Sequence, residues 1–257
     1  MQNFNSYWIA SIPRTGSMWT TNVIKEILVN SNFNVLPNLQ LKTDNEYLEL
    51  YKNQAFIDKN NLNKYVFKIH TRLASLPPKS KVVTNIRNPY DICASFYEFI
   101  NSSLEKAIEC GFRLSIFINH YKNISKDLFM VKYEEIEMDP KNLIKKLADL
   151  CDVSLSETQI EKIIFKFSKD NVSNIIKKND NQIRSDKINK KNIDNRKIII
   201  DEAENYRYFD LKTGFQTNHI SSRKTGQWKM VFSNQQIEQV IKKLDPIAIE
   251  FGYNSEK

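Results

Sequence analysis

A short polar turn carries the first residues whose types and spacing could do chemistry. Arg14, Thr15, Gly16 and Ser17 follow an apolar run from Tyr7 to Ile12 and precede a helical pattern. Backbone N–H groups at a helix start lack intrahelical partners, and the helix dipole attracts negative charge there. The arginine adds a positive charge and the two hydroxyls add donors. The turn therefore predicts a phosphate site, although a strand, a one-glycine turn and a helix also occur as a plain connection.

A second basic position follows the apolar run from 81 to 86. Arg87 ends that run, Pro89 is typical of a first helical position, and Ser95 comes eight residues after the arginine. An arginine at the end of a strand can bind a phosphate through two parallel hydrogen bonds. A serine two turns into the next helix can lie on the same side. The alternative is that Arg87 pairs with an acid and Ser95 is an ordinary helix residue.

The third candidate pair could move a proton. Lys68 and His70 occupy alternate positions of a predicted strand, 65–70, so both side chains lie on one face. Histidine is the usual general base for a hydroxyl group. The alternative is a structural role, which is the more common fate of a single histidine, and the chain contains three.

The elements that must position these residues alternate along the chain. Predicted strands span 7–12, 33–36, 65–70, 81–86 and 128–133. Predicted helices span 17–29 (with Ser17 as the cap), 44–57, 89–101, 112–124, 140–150, 156–167 and 233–244. This alternation predicts an α/β fold in which one central parallel sheet is flanked by helices, with a strand, a P-loop-like turn and a helix at its start. A chain of 257 residues fits a single domain, 1–257.

One segment departs from this pattern. Residues 168–205 are rich in Asn, Asp, Lys and Ser and show no clean period. We expect a long, partly helical surface excursion that is mobile and acts as a lid or insertion at about 168–220.

The bulk composition limits the choice of partners. A net charge of +8 suits an anionic ligand, but a lysine-rich surface explains most of it equally well. Cys93, Cys110 and Cys151 lack metal-site spacing and are expected to be reduced, buried thiols of a cytoplasmic protein. No apolar run of about 18 residues occurs, and the start of the chain does not resemble a secretion signal. We expect no metal, no nucleic acid partner and no stable membrane association.

Four segments resemble sulfotransferases that use 3′-phosphoadenosine 5′-phosphosulfate (PAPS). The sequence PRTGSMW at 13–19 resembles their 5′-phosphosulfate loop, PKSGTTW. Residues 87–95 resemble their 3′-phosphate segment, Arg-Asn-Pro-x-Asp followed by a serine. Residues 68–70 look like the Lys-Thr-His of the cytosolic branch, and 222–229 resemble the segment Arg-Lys-Gly…Gly-Asp-Trp-Lys. The four occur in the family's order, within residues 6–170 and 219–253.

The resemblance implies an enzyme that transfers a sulfuryl group from PAPS to a hydroxyl or amine acceptor and releases 3′,5′-bisphosphoadenosine (PAP). It implies His70 as the base, with Lys68 and Arg14 as catalytic cations. The residues that it implies for nucleotide binding are Arg14, Thr15, Gly16, Ser17, Met18, Trp19, Arg87, Ser95, Ser168, Arg223 and Lys224. Trp19 aligns with a tryptophan that stacks on adenine, and the alternative is a role as a core residue of the first helix. Arg14 stands where the family usually has lysine, which replaces a compact proton donor with a planar charge.

Two other functions stay open at this point. One is a P-loop nucleotide kinase or NTPase, whose Gly-Lys-Ser/Thr signature the turn lacks. The other is a non-catalytic module that binds polyanions, which would need the basic residues but no base. The acceptor would be a small-molecule or glycan hydroxyl, bound by residues 40–62 and 170–220. The sequence indicates neither the acceptor's identity nor the oligomeric state.

Overall fold

The computed structural model describes residues 5–41, 43–53, 63–188, 198–200, 206–217, 220 and 224–254. The strands are β1 (Ser6–Ala10), β2 (Val35–Leu36), β3 (Lys64–Ile69), β4 (Ser80–Ile86), β5 (Phe129–Lys132), β6 (Ile198–Ile200) and β7 (Tyr206–Tyr208). The α-helices are α1 (Ser17–Asn30), α2 (Asp44–Lys52), α3 (Pro89–Ile100), α4 (Leu104–Ile124), α5 (Tyr133–Met138), α6 (Pro140–Leu150), α7 (Glu157–Lys166), α8 (Lys169–Ile188) and α9 (Asn234–Glu250). A 3₁₀ helix spans Gln227–Val231.

Five strands form one parallel sheet in the order β2-β3-β1-β4-β5. The predicted α/β class, with its central parallel sheet between helices, is confirmed. Because β1 lies between β3 and β4, the carboxyl ends of these three strands meet at one edge of the sheet. Ala10 pairs there with Ile69, and Ile9 pairs with Val83. Ligands of open α/β sheets bind at such an edge.

Both faces of the sheet are covered, which explains why its strands are apolar throughout rather than alternating. Tyr7 and Ile9 point to a core shared with α1, α6 and α7. Trp8 and Ala10 point to the opposite core, which includes residues of α2 and α4. Each of these four strand residues is almost completely buried. The central strand is therefore fixed from both sides, and so is the turn that follows it.

The C-terminal part of the chain returns to the same edge through an aromatic contact. The rings of Tyr90 and Trp228 are stacked, with centroids 4.7 Å apart. The backbone N–H of Gly226 donates a hydrogen bond to Asp91 Oδ2 at 2.8 Å. Both contacts join the 3₁₀ helix and its N-cap to the first turn of α3. Lys224 is thereby placed beside the cavity at the end of β4.

Several boundaries differ from the predicted ones. Gly16, not Ser17, is the N-cap of α1, and Ser17 is its first helical residue. Helix α4 begins at Leu104 rather than at 112, because Ser103 accepts a hydrogen bond from the backbone N–H of Lys106 and caps it. The predicted strand 128–133 ends at Lys132, and helix α5, which follows it directly, was not predicted.

The polar segment after residue 168 contains more regular structure than expected. Helix α8 follows α7 directly, and β6 pairs with β7 in an antiparallel ladder. Residues 189–197, 201–205, 218–219 and 221–223 lie outside the described residues. The predicted lid and its mobility therefore stay predictions, as does the single-domain organisation.

The three cysteines, Cys93, Cys110 and Cys151, are buried and none forms a disulfide, as expected from their spacing. Among the described helices, none combines the length and the apolar character needed to span a membrane.

Candidate functional site

A cavity of about 550 Å³ lies where β1, β3 and β4 end. Its lining includes Arg14, Gly16, Ser17, Met18, Trp19, Lys68, His70, Arg87, Ser95, Ser168 and Lys224, each of which the sequence had singled out. Arg223 lies outside the described residues. Thr15 is fully buried beneath the turn, where its hydroxyl donates to the carbonyl oxygen of Ile12 at 2.8 Å. Thr15 can therefore offer a ligand its backbone N–H but not this hydroxyl.

The turn between β1 and α1 has the backbone shape of an anion site. Arg14 and Gly16 both adopt left-handed conformations, with φ of 69° and 90°. No side chain caps the start of α1, and no acidic residue lies in its first turn. The uncapped N–H groups and the helix dipole are thus available to a negatively charged group.

Gly16 is needed at its position for two reasons. Its φ is costly for any residue with a side chain, and a Cβ there would lie 2.9 Å from both Ile136 Cδ1 and Tyr133 Cδ2. Substitution must therefore displace the Tyr133 ring, which lines the cavity.

We predict that Gly16→Ala lowers the free energy of unfolding by about 2–4 kcal/mol, a conformational part and a steric part combined. Gly252→Ala is the matched control, because Gly252 has a similar φ of 77° but nothing within 4 Å of an added Cβ. The control should lose only the conformational part, about 1–2 kcal/mol. Urea denaturation measures both, and equal losses would contradict the steric argument.

Two guanidinium groups converge at one end of the cavity. Arg14 Nε donates to Ser95 Oγ at 2.9 Å, and Arg87 Nη1 donates to the carbonyl oxygen of Arg14 at 3.0 Å. Arg14 also lies over the ring of Phe99, and Arg87 lies over that of Tyr133, at 4.2 and 4.0 Å from the centroids. Aromatic rings thus hold both charges in place. Two phosphate sites were predicted, one at the turn that contains Arg14 and one at Arg87 and Ser95. Their residues form one cluster.

Arg87 has an unused donor. Its Nε is buried and has no hydrogen-bond partner among the residues that the structure describes. Arg87 as a whole is also buried, with 9% of its surface exposed. A buried donor that lacks a partner is unfavourable by about 1–3 kcal/mol. An anionic ligand in the cavity would remove that penalty.

A lysine and a histidine lie side by side in the lining of the same cavity. Lys68 Nζ lies 3.0 Å from His70 Nε2, as the alternation of a strand predicts. His70 Nδ1 lies 2.6 Å from the carbonyl oxygen of Ser11. Because a carbonyl can only accept, Nδ1 carries the proton and Nε2 presents its lone pair. Nε2 is therefore the atom that can take a proton.

Electrostatics keep His70 neutral. Burial, followed by the positive charge of Lys68, lowers the pKa of His70 to about 3. Burial also lowers the pKa of Lys68, and the negative charge of Asp44 opposes that shift. A neutral imidazole is the form in which a histidine acts as a base.

Three predicted residues lie at the rim of the cavity. Trp19 is half-buried and packs partly against the core below the sheet, so both of its predicted roles fit. The Ser168 hydroxyl donates to the Phe165 carbonyl and accepts from the Asn171 backbone N–H, which is a helix-capping role. Lys224 is exposed. Nucleotide binding by these residues stays a prediction.

The sequence reasoning missed two residues. Tyr133 follows β5 directly and supports Arg87, and its position at the end of a parallel strand was a signal that could have been used. Asp44 Oδ2 accepts a hydrogen bond from the backbone N–H of His70 at 2.6 Å. No local pattern could reveal this second contact, because it joins residues that are far apart in the chain.

The arrangement can therefore do two things. One end of the cavity offers an anion two arginines, a serine hydroxyl and the N–H groups of a helix start. The other end offers a neutral imidazole beside a lysine. The described residues contain no group of three or more His, Cys, Asp or Glu side chains placed to hold a metal ion.

A family model described as "Sulfotransferase domain" matches residues 5–246. The chain is 24% identical over 207 residues to an amine sulfotransferase of Oryctolagus cuniculus, covering 72% of this chain and 68% of that protein. It is also 24% identical over 271 aligned positions to a flavonol 3-sulfotransferase of Flaveria bidentis, covering 94% and 81% of the two chains.

Solved structures show the same fold. Mouse sulfotransferase SULT7A1, solved with PAP, aligns with a TM-score of 0.60 at 15% identity and covers 97% of this chain and 86% of its own. Retinol dehydratase in a complex with retinol and PAP aligns with a TM-score of 0.58 at 16% identity, covering 96% and 81%. At such identities the likeness concerns the fold alone.

Proposed function

Because the chain belongs to the sulfotransferase domain family, we propose that it is an enzyme that transfers a sulfuryl group from PAPS to an acceptor hydroxyl or amine. The observation that carries this proposal is the position of Lys68 and His70 in the same cavity as Arg14, Arg87 and Ser95. A nucleotide-binding or polyanion-binding module would need the cations but would have no use for a neutral histidine beside them.

The residues of the cavity fit PAPS. The unpartnered Nε of Arg87 calls for an anion, and Ser95 and Arg14 lie beside it, which suits the 3′-phosphate. The uncapped N–H groups at the start of α1 suit the 5′-phosphosulfate. Trp19 offers a flat apolar surface to the adenine, with Ser168, Lys224 and Arg223 as further proposed contacts.

PAPS would supply the sulfuryl group that is transferred. The residues of this chain then have separable tasks. His70 Nε2 takes the proton of the acceptor. Arg14 and the N–H groups of the turn stabilise the negative charge that develops on the leaving phosphate oxygen, by analogy with phosphoryl transfer. Lys68 adds a second positive charge beside the base.

The proposed acceptor is a small molecule with a hydroxyl or an amine, or a glycan hydroxyl. The names of the two sequence relatives, which concern an amine and a flavonol, support the small-molecule class. Phe99, Phe215 and Met18 give the cavity apolar walls that would suit such an acceptor. Incubation with radiolabelled PAPS and panels of phenols, steroids, amines, sugars and glycans tests the transfer and the acceptor class together.

We predict that PAP raises the melting temperature by several degrees. A ligand at 100 times its Kd stabilises the folded state by about 2.7 kcal/mol. Differential scanning fluorimetry with PAP, with adenosine 5′-phosphate and with ATP and Mg²⁺ measures the effect. A shift with ATP and Mg²⁺ but none with PAP would overturn the proposal in favour of a P-loop kinase or NTPase.

A further inference from the structure

The start of helix α2 is tied to the end of strand β3. Asp44, the first residue of α2, accepts a hydrogen bond from the backbone N–H of His70 at 2.6 Å. The cap of this helix is supplied by a different residue, because Thr43 accepts from the backbone N–H of Glu46. The carboxylate of Asp44 is therefore not needed to cap α2 and is directed at the β3 end.

The same carboxylate acts on Lys68. Burial lowers the pKa of Lys68, and the charge of Asp44 is what raises it again. The lysine in turn contacts His70 Nε2 at 3.0 Å. Asp44 is thus joined to the backbone of His70 by a hydrogen bond, and the ring of His70 is joined to Lys68. Asp44 is the negatively charged member of this group.

The other groups around this pair do not replace Asp44. Arg113 of α4 acts on His70 with a positive charge, and Arg14 of the turn acts with Arg113 on the nearby thiol of Cys110. Further titratable groups carried by these packed elements are Glu46 and Tyr47 of α2, Glu109, His120 and Tyr121 of α4, and Arg72 after β3.

We propose that Asp44 is a positioning residue for sulfuryl transfer, which holds Lys68 as an ammonium ion and fixes the place of His70. This inference rests on the proposed function for its kinetic consequence. Asp44 touches neither donor nor acceptor in this role and acts through the other two residues. It also connects α2, whose segment was expected to line the acceptor site, with the base that the acceptor would meet.

The kinetic test is the pH profile of kcat. Asp44→Asn keeps an oxygen that can accept from the His70 N–H but removes the charge. Without that charge Lys68 loses its proton at a lower pH, so the alkaline limb of the profile should move to lower pH. At lower pH, where Lys68 is charged in both proteins, kcat should approach that of the wild type. An unchanged alkaline limb would overturn the inference.

Two variants separate charge from structure. Asp44→Glu keeps the charge and should restore most of the wild-type profile. Glu46→Gln removes a carboxylate from the same turn of α2, where it accepts a hydrogen bond from Thr43, and should leave the alkaline limb at its wild-type position. A shift as large in Glu46→Gln as in Asp44→Asn would show that any charge in this turn suffices, and it would overturn the specific role of Asp44.

A second measurement does not depend on activity. The chain has three histidines, so ¹⁵N-labelled imidazole signals can be assigned with a His70→Gln variant. The Nε2 shift of His70 should report the titration of Lys68, and the midpoint of that titration should move to lower pH in Asp44→Asn. Equal midpoints would overturn the inference. A shifted midpoint in a protein that transfers no sulfuryl group would instead count against the proposed function and leave the Asp44 coupling intact.

Discussion

The His70→Ala variant is expected to turn over about 10²–10⁴ times more slowly than the wild type, which is the usual contribution of a positioned proton acceptor. Its affinity for PAP should stay nearly the same. The reason is geometric: the Nδ1–H of His70 is held by the carbonyl oxygen of Ser11, and its Nε2 contacts Lys68. Neither contact involves the arginines of the anion site. Single-turnover kinetics with a saturating acceptor and calorimetric titration of PAP measure the two quantities separately.

His120→Ala is the matched control for this experiment. His120 is the other histidine that the structure describes, and its Nε2 lies 2.7 Å from the carbonyl oxygen of Leu73. It does not line the cavity. The control should lose at most some thermal stability. If His70→Ala kept near-normal turnover on its true acceptor, the base would have to be another residue, and a carboxylate would be the first to test.

The Arg87→Ala variant should bind PAP about 2–4 kcal/mol more weakly, because a buried phosphate loses charge-assisted hydrogen bonds from a planar donor. Part of the wild-type affinity comes from Nε, which has no partner until an anion binds. Arg87→Lys should recover only part of the loss, since a point charge cannot reproduce two parallel bonds. Isothermal titration calorimetry gives the three affinities.

Adenosine 5′-phosphosulfate separates the two ends of the nucleotide in this test, because it lacks the 3′-phosphate. Its affinity should fall much less than that of PAP in Arg87→Ala. Some loss is expected, since Arg87 Nη1 also holds the carbonyl oxygen of Arg14 in the turn. An equal loss for both ligands would mean that Arg87 acts only by supporting the turn, and its assignment to the 3′-phosphate would be wrong.

The positions at strand ends were predictable from the sequence. Lys68, His70 and Arg87 come at or just after apolar runs, and parallel strands bring such ends together at one edge. The side-by-side placement of Lys68 and His70 follows from the period of two in a strand. The sequence thus showed which residues end the strands, and the general geometry of parallel sheets placed those ends at a shared edge.

The contacts between distant elements were not predictable in the same way. Asp44 meets His70 only because α2 packs against β3, and nothing near residue 44 in the chain indicates it. Helix α5 was missed because its sequence, YEEIEM, is six residues long and three of them are glutamates, so the spacing of Tyr133 and Ile136 is too short a pattern to indicate a helix. The hydroxyl of Thr15 was expected to face the ligand. A small hydroxyl side chain in a tight turn can instead donate to a backbone carbonyl, and the Thr15 hydroxyl donates to the carbonyl oxygen of Ile12.

The central place of β1 in the sheet has a consequence for how the protein is made. During synthesis Tyr7-Trp8-Ile9-Ala10 leaves the ribosome before its two neighbours in the sheet, β3 and β4, which are translated later. At about 5–20 residues per second, this apolar strand spends several seconds without a partner. An unpaired apolar strand is a binding site for chaperones and for other nascent chains. The strand that anchors the anion site is therefore also the part of the chain most in need of protection before folding is complete.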